Sequence, residues 1–183
     1  RFIYLDTVEL PVAASNWRFI FSGSFGGGGG AGRTQAITNV YNPGSTLTYL
    51  EATLNNTTDQ NSSPDYTTIP TPFYCKLPDQ QYNQGAVDGN GDSLAYQLVT
   101  GKAGNQGSPL LSDILPYNAD LSGALPLETD SGAFYFNEFN GQLTFTPNHA
   151  QNSLVVCQVN EYRNGVLVGT SQREMTFIVS PDC

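Results

Sequence analysis

From Leu94 to Val179 the chain is a succession of short stretches in which apolar and polar residues alternate. They are LAYQLV, AFYFN, QLTFT, SLVVCQVNEY, VLVGT and REMTFIV, and Asn140-Gly141 and Asn164-Gly165 lie between members of the series. A period of two sends successive side chains to opposite faces of an extended strand. Asn-Gly tolerates the positive φ angles that a two-residue hairpin turn demands. Strands this short and closely spaced predict a β-sandwich. Cys157, inside the longest stretch, is expected to be buried on a central strand.

The first part of the chain reads as more strand. FIYLDTVEL and NWRFIFS are strand candidates, the second placing Trp17, Phe19 and Phe21 on one half-buried face. The run Gly26 to Gly30 predicts a flexible loop, because consecutive glycines lose too much entropy in a strand or helix. Behind it GAGRTQAITN has neither the Lys-Ser/Thr pair nor the helix start of a phosphate-binding loop. TQAITNVY and TLTYLEATL follow as strands around the turn Asn42-Pro43-Gly44-Ser45. A polar stretch from Asn55 to Ser63, with sequons at Asn55, Asn56 and Asn61, separates two expected modules, 1–62 and 63–183. SPDYTTIPTP then enters the second as a linker or edge strand, since each proline removes a ladder donor. Residues 101–130 lack alternation and are expected to form a long excursion, with a helical turn near LLSDIL. The fold class is therefore all-β, two sandwich modules in tandem.

Sixteen acidic against seven basic residues give a net charge of -9. That repels phosphate backbones and anionic lipid, so nucleic acid is not an expected partner. No apolar run approaches the roughly 20 residues of a membrane-crossing helix, so no membrane insertion is expected. Arg1 in place of Met suggests a mature or excised segment. The three cysteines, Cys75, Cys157 and Cys183, are too far apart for a zinc knuckle, and one disulfide would leave one thiol over. His149, the single histidine, lies in the turn Pro147-Asn148-His149 with no nucleophile motif beside it, and reads as a solvated loop residue. No enzymatic activity is expected.

In the second module NSSPDY, AVDGNGDSLAYQL, NGQLTF and REMTFIV resemble the order of landmarks in cadherin-like domains. Over nearly the whole chain YLDTVELP, NWRF, AITNVYNP, ATLNN, YNQGAVDGNGDSLAYQLV, GQLTFTP and VNEYRNGVLVGTSQRE resemble the repeat unit of large Bacteroidetes surface proteins that end in gliding-motility-associated C-terminal domains. The chain departs from that pattern with Ala14 and the glycine run before Arg33, where the family tends to carry cysteines. The resemblance implies an extracellular, cell-surface repeat exported by type IX secretion and acting as an adhesin, stalk or filament, with no catalytic residues. Self-association or neighbouring repeats are the implied partners, with FIYLDTVEL as one strand able to complete a neighbour's sheet. Surface glycans are the partner under the alternative reading, a carbohydrate-binding module.

Asp88, Asn90 and Asp92 occupy alternate positions in VDGNGDSL, a spacing of hard oxygen ligands that can wrap calcium; Asp and Asn beside Gly equally make plain turns. An EF-hand is excluded, because its required glycine would be Ser93 and its twelfth residue Val99. Cadherin-like sites borrow carboxylates from neighbouring loops, which the resemblance assigns here to Asp65 and Glu161, with Ca²⁺ as the metal.

Overall fold

The computed structural model describes residues 7–23, 32–58, 60–77, 79–105 and 107–181. They form β1 (Trp17–Ser22), β2 (Leu47–Leu54), β3 (Asp65–Tyr66), β4 (Phe73–Cys75), β5 (Gln80–Asn83), β6 (Ala86–Val87) and β7 (Ser93–Leu98). Then follow β8 (Lys102–Asn105), β9 (Ser108–Ile114), β10 (Thr129–Phe136), β11 (Gln142–Pro147), β12 (Gln151–Arg163) and β13 (Val166–Ser180). The only helical element among the described residues is a single turn, Pro43–Ser45.

β12 and β13 make one long hairpin, and VLVGT and REMTFIV are a single strand rather than two. Asn164 (φ 52°) and Gly165 (φ 79°) both turn through the left-handed region, as the sequence requires of a two-residue turn. The main sheet runs β7-β12-β13-β2-β8-β9, with β1 on β2 and β4 parallel to β13. A second sheet, β10-β11-β5, packs on it. Tyr82 and Phe145 from the small sheet meet Val155, Phe177 and Val179 from the large one, and Tyr74 on β4 closes the cluster. Tyr74 and Phe145 meet edge to face at 5.1 Å between ring centroids. The molecule is an all-β sandwich.

β12 is buried on both faces. Val155, Cys157 and Val159 look toward the small sheet and β7, while Leu154 and Val156 pack with Ile37, Val40 and Leu115 on the other side. Strands from both sides of the expected boundary at 62 and 63 share this sheet and this core: β2 pairs with β13 and β8, and Ile37 and Val40 lie against β12. Cys157 is 1% exposed, and burial pushes its thiol up to about 12, so it is inert in the folded chain. Cys75 is in a disulfide; Cys183 falls outside the described residues, as does the loop expected at Gly26 to Gly30.

Four expectations differ from what is seen. Thr34–Tyr41 is a run of turns, bridged to Tyr117 only at Val40, because side chains, those of Thr38, Asn152 and above all Asn39, replace most of a backbone ladder. The amide of Asn39 donates to the carbonyls of Leu154 and Pro126, and its carbonyl accepts from Leu154 N–H, each at 2.9 Å. Residues 102–105 and 108–114 pair as β8 and β9, and Leu110–Ile114 of LLSDIL is strand, not helix; its alternation is hidden because Leu110, Leu111 and Ile114 are all exposed. Thr7–Leu10, the described part of FIYLDTVEL, belongs to no strand. In β1 the strand is as expected, but Phe19 and Phe21 are exposed, at 37% and 54%, and Trp17 is half-buried with its indole N–H on the Val12 carbonyl.

Asn39→Ala should leave three buried backbone groups unpaired on and beside β12. The expected cost is about 2–4 kcal/mol, read as a fall in the urea midpoint at unchanged slope; a loss below about 0.5 kcal/mol would mean that water or a local shift replaces the amide.

Candidate functional site

Charged side chains are few, and several of the described ones meet in two places. Arg33 is 7% exposed and holds Glu174 on β13 through two charge-assisted bonds, of 2.9 and 2.6 Å, while donating to the carbonyls of Leu47 on β2 and Lys102 on β8. It fills the gap where β13 and β8 diverge along β2.

The second place is the end of the sandwich where β7 begins and β12 ends. In the loop before β7, Asp88 Oδ1 accepts from the backbone N–H groups of Asn90 (2.9 Å) and Asp92 (2.8 Å), so the first acidic residue folds its own turn. Asn90 Oδ1 accepts from Ser62 N–H at 2.8 Å. Both oxygens of Asp92 take the fork of Arg163 at 2.7 Å, and Arg163 also donates to Asn61 Oδ1 and the Gln60 carbonyl. Asn61 passes its amide to Glu161 Oε2 at 2.8 Å. One continuous polar network therefore joins three segments: residues 60–62, the 88–92 loop and the end of β12.

Of the five residues named as metal ligands, three come together. The carboxylate oxygens of Asp88, Asp92 and Glu161 lie within 4.8 Å of one another. Asn90 is committed to Ser62, and Asp65 stands exposed on β3 outside the cluster. Glu161 is 1% exposed, and burial, with Asp88 and Asp92 adding to it, holds its carboxyl above its ordinary pKa. Asp88 Oδ2 is buried and has no hydrogen-bond partner among the described residues. Glu161 Oε1 sits 2.7 Å from where a Cβ on Gly169 would be, so a glycine opposite Glu161 is what admits the carboxyl. A hard cation takes 6–8 oxygens, and here it would find Asp88 Oδ2 and Glu161 ready and would compete with Arg163 for Asp92. Fit is therefore partial.

Sequence reasoning missed Arg163 and Asn61. The signal for Arg163 is its place next to the Asn164-Gly165 turn, which fixes where the side chain emerges; Asn61 reads only as a sequon, although its amide is taken by Glu161. His149 is exposed, 3.5 Å from Glu128. No protein family matches the chain, and neither a curated protein nor a solved structure is significantly similar to it.

A carboxyl with a raised pKa favours the folded state in its protonated form. Its contribution is complete below the ordinary glutamate pKa and is lost as pH rises through the folded value. Glu161→Gln keeps the acceptor for Asn61, adds a donor near Asp88 Oδ2 and removes the titration. In metal-free buffer near pH 7 it should raise the melting temperature by roughly 2–4 °C, about 1 kcal/mol, with the gain vanishing near pH 4. Destabilisation near pH 7 that is absent near pH 4 would show that the carboxylate itself is required.

Proposed function

We propose that this chain is a non-enzymatic structural and adhesive module of a bacterial cell-surface protein, joined to further copies by strand addition along β1. The observation that carries this reading is the contrast between two edges of the main sheet. β9 is blunted in the ways that soluble proteins blunt an edge: Pro109 lacks a donor, the register shifts opposite Asn105, and Asp113 adds a charge. β1 has neither the proline nor the register shift. It pairs with β2 over six consecutive residues without a shift, contains no proline, and has no partner strand on its other edge among the described residues. Its one charge, Arg18, is taken up by Glu51 at 2.7 Å, and Phe19 and Phe21 are exposed along it.

An apolar, regular edge of this kind is a template for another chain's strand. Val8–Leu10 belongs to no strand of its own molecule, with Val8 65% exposed, so a segment is at hand in each copy to serve as donor. Addition of one copy's segment to the next copy's edge is heterologous and propagates as a stalk or filament unless it closes into a ring. The Cys75 disulfide and the sparse charge suit a secreted, oxidised setting. Calcium belongs to the same proposal: an ion on Asp88 Oδ2 and Glu161 would stiffen the end of the sandwich, and millimolar calcium should then raise the melting temperature of the wild type but not of Glu161→Gln.

Phe21→Lys places a charge on the exposed edge and should leave stability within about 0.5 kcal/mol. Sedimentation velocity should show wild-type protein associating as concentration rises and the variant remaining monomeric. A wild type that stays monomeric at the highest attainable concentration, or a variant that associates equally, would overturn the proposal.

A further inference from the structure

Arg18, Arg33 and Arg163 each hold a carboxylate, at 2.7, 2.6 and 2.7 Å. Arg173 on β13 holds none among the described residues. Its guanidinium lies over the ring of Tyr66, 5.1 Å from the centroid, and makes only long contacts to two backbone carbonyls, Gln84 at 3.5 Å and Thr68 at 3.4 Å. Stacking on an aromatic ring orients the guanidinium without neutralising it. In a chain of net charge -9 this is a partly buried cation with no counter-charge of its own among the described residues.

The same guanidinium lines a concavity of about 580 Å³, walled by residues 66–70. That wall is fixed in place. Gly85, at φ 64°, accepts from both the N–H and the hydroxyl of Thr67 through its carbonyl, and a Cβ there would fall 2.2 Å from the Thr68 hydroxyl. With its proton given to Gly85, the Thr67 hydroxyl keeps its lone pairs for an incoming donor. Ile69, 74% exposed, and Pro70 form an apolar shoulder at the rim.

We infer that this concavity binds a carboxylated sugar, with the Arg173 guanidinium on the uronate carboxylate and the Ile69–Pro70 shoulder against the C–H face of the pyranose ring. The fork of a guanidinium matches a carboxylate in two parallel bonds, and the threonine hydroxyls suit ring hydroxyls. An acidic peptide fits less well, because it would need open backbone groups beside the carboxylate site; β3 is two residues long and pairs with β6, and the N–H of Thr67 is already spent on Gly85. No residue of β1 lines the site, and the inference does not rest on self-association.

The test is titration of the full chain, and of the Phe21→Lys variant, with α-1,4-trigalacturonate, its methyl ester and a Glu-containing tripeptide, followed by calorimetry or by amide shifts of residues 66–70 and 173. Trigalacturonate should bind both proteins equally, at least about tenfold more tightly than the ester or the peptide, and more weakly as salt rises. Arg173→Gln should lose about tenfold or more. Ile69→Asp, at an exposed position where folding is not at stake, should lose as much by setting a carboxylate against the ligand. Absence of binding, equal binding of the ester, unchanged binding by Ile69→Asp, or a peptide that binds as well as the sugar would each overturn the inference. Equal failure to bind by an associating wild type would leave the β1 proposal standing.

Discussion

The β12–β13 hairpin is the constraint on which the rest of the molecule depends. Its turn is set by two residues that both occupy positive φ, and its strands are the longest described, so a single local event places the residues that both faces of the sheet must cover. One face of β12 asks for an aromatic cover and receives β10, β11 and β5. The opposite face, Leu154 and Val156, exists only because a second layer, Ile37, Val40 and Leu115, lies over it. A strand buried on both sides cannot slip by one residue without exposing one cover or the other, so the hairpin fixes register for β7 and β13 alike.

Polar groups in this chain serve as ties from outlying segments to that hairpin. Asn39 pins the turns of residues 34–41 to Leu154, Arg33 pins the start of β2 and β8 to Glu174, and Arg163 with Asn61 pins the 60–62 and 88–92 segments to the end of β12. Buried ion pairs add little net stability over apolar replacements, but removing one partner leaves a costly orphan. The ties therefore act chiefly on arrangement: they determine which segments lie beside the hairpin. Tyr66 makes the same kind of link, its hydroxyl 2.9 Å from Ser171, and so holds the wall that Arg173 faces.

The second half was legible because its strands obey simple physics: alternation in LAYQLV and QLTFT, and Asn-Gly where turns are needed. The 34–41 segment was not, since its apolar residues match strand propensity while scattered backbone bonds and the side chains of Thr38, Asn39 and Asn152 take the place of a ladder. Residues 102–114 hid their strands because Leu110, Leu111 and Ile114 face solvent rather than alternating with a core. Of the metal-ligand set, Asp88, Asp92 and Glu161 are brought together, whereas Asn90 serves Ser62 and Asp65 lies apart. Spacing along a loop gives proximity to the turn's own backbone, but a partner such as Arg163 comes from a distant strand end that no local pattern reveals.

In the assembled state proposed here, β12 is interior at all times and β1 changes its surroundings. Hydrogen exchange measured on the full chain at low and high concentration addresses that directly. Amides of Leu154–Val159 should exchange slowly and identically at both, while alternate amides of Trp17–Ser22 should exchange fast when dilute and slow by at least about tenfold on concentration. Protection of β1 that is the same at every concentration, or protection gained on β9 instead, would contradict the account.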